Sequence, residues 1–240
     1  MAYWMGWKTR DLVWSLWLGS LTLGYLTILS IVGAAAWMGL HFLRQKTGTK
    51  KQWTIAIVIG LGAGLFFLGF FSFHFCAFHA GHSVFLAIFF PLEGMPEGGF
   101  GSAFMNPPRL WYLACEHLLK PYGLFLIPAI IAERRQVFFP LYRAWQALRT
   151  GDTSVNIFTG EKSTEADSVR GSLGTAMMRP YVNVIRMHLL IFFFAGCWLL
   201  KIDNFLIYAV VFSVYFFPWS ELKKQRPGNA PAANPKGIVP

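Results

Sequence analysis

Three histidines, His74, His79 and His82, fall within the run Phe71 to Phe90, FSFHFCAFHAGHSVFLAIFF, which is otherwise as apolar as a membrane span. An imidazole in hydrocarbon must find a partner or a wet cavity, so these side chains head the candidates for a working site. On a helix His79 and His82 are i and i+3, one above the other on one face, and could share a metal ion or a proton. His74 and His82 stand two turns apart along the axis and about 80° apart around it. That is too far for one ion, but the two could line one polar cavity or ligate separate haem-like groups.

Further ligands would have to come from other helices. His188, in RPYVNVIRMHLLIF, and Glu116 with His117, in LACEHLLKPYG, are the candidates. A carboxylate at membrane depth is costly, so Glu116 calls for Lys120 one turn later, a histidine or water. The HExxH and ExxH spacings of zinc and di-iron centres are absent. A plainer reading competes: each histidine could satisfy a backbone carbonyl of a neighbouring helix, and Glu116 and Lys120 could form a simple ion pair near the interface. Nucleophilic hydrolysis has little support, since Ser83 follows His82 directly with no GxSxG elbow around it. The glycine-rich PEGGFGSAF lacks the GK[ST] that a phosphate-cradling loop needs. No complete motif names a reaction, which leaves enzymatic activity open.

The elements that would position these residues follow from composition. The chain has 240 residues, 55% of them hydrophobic and 13% charged, with a mean hydropathy of +0.46. Soluble domains carry about 25% charge. The reading is an all-α integral membrane bundle, because roughly 20 apolar residues at 1.5 Å rise cross the hydrocarbon. The net charge of +10 comes from 21 basic and 11 acidic residues. The basic residues sit between apolar runs, which points to anionic lipid headgroups as their partner and away from nucleic acid. Cys76, Cys115 and Cys197 each lie in an apolar segment without a CxxC pair, so they read as buried hydrophobes. The opening MAYWMGWKTRD lacks the features of a cleaved signal peptide, and the first apolar run is expected to stay as an anchor.

Five apolar segments can be drawn: Leu12 to Leu43, Trp53 to Leu92, Leu110 to Ala132, Tyr181 to Leu200 and Phe205 to Trp219. The second would reach about 60 Å as one helix against a hydrocarbon core of about 30 Å. It must protrude, combine a span with a re-entrant piece, or divide in two. Lys and Arg stay on the cytoplasmic side. Arg44, Lys46, Lys50 and Lys51 mark the first connection as inside, Glu93 and Glu97 the next as outside, and Arg134, Arg135, Arg143 and Arg149 the following one as inside. Five crossings of an inner (plasma) membrane, N-terminus outside and C-terminus inside, satisfy these loops. Six crossings result if a long run divides, and Lys8 and Arg10 are the misfit of the five-span scheme.

Smaller features fill in the arrangement. Gly60 and Gly64 form a GxxxG that could admit a close helix, though glycine is common in membrane helices anyway. Pro140 suits a first helical position, and Leu141, Tyr142, Trp145 and Leu148 follow at helical spacing opposite Arg143, as in a short helix lying in the interface. Tryptophans near the span ends, Trp14 and Trp17 among them, read as interfacial anchors. Residues 1–219 form one transmembrane domain in this reading. The polar, Pro-rich end, residues 220–240, reads as a disordered cytoplasmic tail.

The stretches WKTRDLVWSLWLGSL, FHFCAFHAGHSVFLAIFFP and MRPYVNVIRMHLLIFFFAG together resemble an uncharacterised family of small bacterial and archaeal membrane proteins, domain-of-unknown-function family 6498. The resemblance implies a multi-pass membrane fold in which His74, His82 and His188 match recurring histidines. It implies no activity, and His79, Cys76 and His117 are less clearly part of its pattern.

The sequence therefore supports a membrane protein with a polar site built by His74, His82 and His188, with His79 and Glu116 as further contributors, that binds a metal or haem or relays protons. A structural or accessory subunit whose histidines only bridge helices is the alternative. A small-solute transporter is weaker, since no symmetric pair of broken helices is evident.

Overall fold

The structure is a computed structural model that describes residues 8–45, 48–151, 185, 188–201 and 210–211. The chain divides into two compact units, residues 1–203 and 204–240. Only 210 and 211 of the second are described, so the proposed fifth span and the polar tail lie outside the described residues, as does most of 152–187.

Among the described residues the fold is all helical. Helix α1 runs Thr9–Gln45, α2 Lys50–Phe89, α3 Pro107–Ala114, α4 Lys120–Val137 and α5 Phe139–Thr150. A further short apolar helix, α6, covers His188–Leu199. Helices α1, α2 and the continuous stretch Pro107–Val137 are long and apolar enough to cross a membrane. Neither long run is broken: α1 has 37 residues and α2 has 40. At 1.5 Å per residue they reach about 55 and 60 Å. The division that would have given six crossings is therefore not seen in either run.

Local chemistry sets the helix ends. Thr49 caps α2 in a reciprocal box with Gln52, the hydroxyl accepting from Gln52 N at 3.4 Å while Gln52 Oε1 accepts from Thr49 N at 3.0 Å. Asn106 caps α3 by accepting from Arg109 N at 3.2 Å, with Pro107 in the first turn, where a missing N–H costs nothing. Between α3 and α4 the helix widens into a π turn at Cys115–Leu119, directly ahead of Pro121. A proline ring clashes with the carbonyl four residues before it, here His117, and the wider turn gives that carbonyl room. Gly151, at φ +69, ends α5 in the left-handed conformation that glycine tolerates.

Helix α1 is the hub. It lies antiparallel to α2: Trp14 meets Phe90, Tyr25 meets Cys76 and Val32 meets Gly64. It lies parallel to α4 and α5, with Phe125 against Gly19, Ala129 against Leu23, and Leu141 against Gly33. Gly24 makes room for a side chain of α2, since a Cβ added there would overlap the Phe75 ring. At the GxxxG, among the described residues a Cβ added at Gly60 would meet nothing within 4 Å and one added at Gly64 would meet only Val32 Cγ1, at 3.9 Å. Pairing in these directions places Arg44, Lys50, Lys51, Arg134 and Arg135 toward one end, and Arg10, Asp11 and Glu93 toward the other.

Helix α5 exists, but its expected apolar stripe divides. Ala144 and Ala147, flanked by Leu141 and Leu148, pack on Ala34 and Met38 of α1, while Tyr142 and Trp145 stay exposed. Small alanines let the two backbones come close, so leucines meant for lipid turn toward α1.

Candidate functional site

The α1/α2 interface carries a polar seam inside an apolar pair of helices. On α2, Ser72, Cys76, His79 and Ser83 recur at i, i+4, i+7 and i+11, the spacing of one helix face. Cys76, His79 and Ser83 are buried, as are Ser15 and Ser20 opposite them on α1. A buried hydroxyl, thiol or imidazole without a partner is destabilising, so each looks for one in its own helix or across the interface. Ser83 donates to Ala80 O at 2.6 Å and Ser15 to Leu12 O at 2.8 Å. Across the interface, Tyr25 Oη and Cys76 Sγ lie 3.0 Å apart.

His79 is fully enclosed and fully satisfied. Its Nδ1 lies 3.0 Å from Phe75 O, and a carbonyl can only accept, so the proton sits on Nδ1. Nε2 is then the acceptor, and Ser20 Oγ donates to it at 3.3 Å. The His79 backbone carbonyl in turn accepts from Trp17 Nε1 at 3.1 Å. These bonds tie α2 to α1, a bridging role.

His82 is different. It is only 5% exposed, and its Nε2 lies 2.9 Å from His188 Nε2 on α6. The rings are perpendicular, with centroids 4.0 Å apart. One nitrogen must carry hydrogen and the other a lone pair. Among the described residues His82 Nδ1 is buried without a partner, and an N–H there would lack an acceptor. The favoured tautomer therefore places the His82 proton on Nε2, donated to His188, and leaves Nδ1 as a bare lone pair. The His79 ring stands 6.1 Å away, edge to face. Helix α6 reaches His82 because it runs alongside the end of α2, with Phe194 against Phe90 and Trp198 against Phe89.

The other sequence candidates stand elsewhere. His74 is on an exposed face of α2, its ring stacked on Phe70 at 5.8 Å and edge-on to Phe78 at 5.0 Å. Phe78 also lies 6.4 Å from both His82 and His188, so an aromatic ring separates His74 from the pair. Glu116 is half exposed in the π turn, 3.7 Å from His117 Nε2, and lines a different pocket with Gly94, Pro96 and Arg109. Among the described residues no three of His, Cys, Asp and Glu come together where one ion could be held. A tetrahedral ion with bonds of about 2.0 Å holds two nitrogens about 3.3 Å apart, and the 2.9 Å found here is a hydrogen-bond length. Ligation of a haem through Nε2 would require one of these rings to give up the Nε2 to Nε2 contact.

Sequence reasoning missed Trp14 and Trp17 as members of the site. Both are buried rather than interfacial, and Trp14 Nε1 donates to Phe90 O at 2.8 Å, closing the end of α2. The signal was present: Trp14, Trp17, Leu21, Gly24 and Ile28 recur at steps of three and four, the packing stripe of a helix.

A family model described as a family of unknown function (DUF6498) matches residues 1–215, nearly the whole chain and all of the site. The chain belongs to that family. No curated protein and no solved structure matches it. Family membership thus spans the seam and the His82–His188 pair without assigning either an activity.

Proposed function

We propose that this family member is a multi-pass protein of the plasma membrane whose His82–His188 pair holds and passes a proton within the bilayer. The observation that carries this reading is the 2.9 Å Nε2 to Nε2 distance combined with the bare, buried Nδ1 of His82. A proton added at His82 Nδ1 makes that ring an imidazolium, which can release its Nε2 proton to His188 Nε2. One proton enters at one edge of His82 and one leaves at the other, so charge moves from α2 to α6 without a change in either helix. His188, now cationic, releases a proton from its other nitrogen, and rotation of the two rings then restores the starting tautomers.

The same reading takes α1, α2 and Pro107–Val137 as crossings, with α6 and the segment from Phe205 completing five. The N-terminus is outside. Arg134, Arg135, Arg143 and Arg149 then face the cytoplasm, where anionic headgroups are their partners. A bridging role remains the better reading for His79 alone, because every polar atom of its ring already has a partner.

The test is proton movement into vesicles carrying the full chain, driven by a potassium diffusion potential and read by an entrapped pH dye. The wild type should conduct, His82→Ala should conduct at least about tenfold less while still inserting, and His79→Ala should lose stability before flux. Wild-type flux no greater than that of His82→Ala or of empty vesicles would overturn the reading.

A further inference from the structure

At the end of the molecule where α1 begins and α2 finishes, a second pocket of about 380 Å³ opens beside the π turn. Arg109, Tyr112, Glu116 and His117 line it from one face of the helix, at i, i+3, i+7 and i+8, and Gly94 and Pro96 of the preceding loop close the other side. Arg109 is oriented through its Nε, which donates to Ser102 Oγ at 3.3 Å. Tyr112 lines the pocket one helical turn before Glu116, and His117 Nε2 stands 3.7 Å from the Glu116 carboxylate. The guanidinium and the carboxylate thus share one pocket, yet among the described residues they form no ion pair with each other.

Two opposite charges that line one pocket but stay separated are matched by a molecule that carries both. Seven residues of helix put about 10 Å between their backbones, more than a direct pair needs and suited to a ligand that inserts its own anion and cation in between. Charge-assisted bonds at both ends would be stronger than neutral ones, and the planar guanidinium suits a phosphate or carboxylate. The carboxylate accepts from an ammonium that still carries N–H. The setting is a membrane surface: Tyr112, Phe104, Met105 and Leu119 are large apolar or amphipathic side chains left exposed around this end. The wide turn that carries Glu116 and His117 is of a kind often found at functional sites.

We propose that this pocket binds a zwitterion with a primary amine, the anionic group on Arg109 and the amine on Glu116, with the phosphoethanolamine headgroup of a membrane lipid as the chemistry that fits the position. The site is separate from the histidine pair and does not depend on proton transfer there.

The full chain is reconstituted in nanodiscs of phosphatidylethanolamine, phosphatidylcholine and phosphatidylglycerol in equal parts, and the lipid that stays bound is read by native mass spectrometry. Phosphatidylethanolamine should be retained about tenfold over the other two, the factor expected for one charge-assisted bond. Glu116→Gln should abolish that preference, Arg109→Gln should lower retention of all three lipids because the phosphate it holds is common to them, and Glu116→Asp should restore part of the preference, which separates lost charge from misfolding. Soluble phosphoethanolamine is then added. Displacement of the lipid identifies a free zwitterion as an alternative source of the same chemistry, and failure to displace identifies the lipid alone. Equal retention of all three lipids by the wild type, a preference that survives Glu116→Gln, or retention unchanged in Arg109→Gln would overturn the proposal.

Discussion

His82 and His188, 106 residues apart in sequence, meet nitrogen to nitrogen at 2.9 Å between the end of α2 and α6. Neither ring can make this contact from its own helix, so the bond also fixes how α6 seats against α2. Removing either partner should cost about 0.6 to 2 kcal/mol, the range for interhelical hydrogen bonds in membranes. A double-mutant cycle of His82→Ala and His188→Ala, measured by unfolding in lipid or detergent, should return a coupling in that range. Additive losses would mean that the two rings do not interact.

Gly24 and Phe75 set the spacing of α1 and α2. Gly24→Ala places a methyl group where the Phe75 ring now lies and should destabilise by about 1 to 3 kcal/mol, as overpacking does. Phe75→Leu in the same chain should recover part of the loss. A thermal denaturation series reads both, and a neutral Gly24→Ala would place the close approach elsewhere.

Tyr122 donates to Asp11 Oδ1 at 2.8 Å and joins α4 to the first turn of α1. Tyr122→Phe removes only the hydroxyl and should cost about 0.5 to 1.5 kcal/mol. Arg10→Gln should change stability little, because its partner Glu93 is almost wholly exposed. Denaturation midpoints for the two variants should therefore separate, and equal losses would contradict this ranking.

The helical class and the three helices long and apolar enough to cross a membrane were legible in the sequence because they rest on a local quantity, hydropathy over about 20 residues. The pairing of His82 with His188 agrees with what the sequence singled out. The exclusion of His74 was not legible, since an 80° offset is compatible with one broad face until Phe78 is seen to occupy the space between. Trp14 and Trp17 were misplaced for a similar reason. Tryptophan near a span end is an anchor by default, and only the packing partner decides otherwise. The stripe of α5 was seen, but its division between α1 and the exposed side depends on Ala144 and Ala147 meeting Ala34, a contact that no periodicity announces.

Helix α5 should present two distinct environments. A spin label at Tyr142 or Trp145 should collide with oxygen dissolved in the bilayer, whereas one at Ala144 should be immobilised against α1 or unseat the helix. Full water accessibility at 142 and 145 would contradict an interfacial position for that face.

Helix α2 should carry its two ends to opposite sides. Single cysteines at positions 48 and 98, in a chain with Cys76, Cys115 and Cys197 replaced by Ala, should label from opposite faces of intact cells. Labelling of both from one side would remove α2 as a crossing.

The most direct measurement is nitrogen NMR of histidine-labelled protein in bilayers, read for coupling across the hydrogen bond between His82 Nε2 and His188 Nε2. The expected result is one resolved coupling that joins the two rings, places the shared proton between them and disappears in His188→Ala. Two uncoupled imidazoles, each unchanged when the other is replaced, would contradict the shared proton and with it the proposed relay.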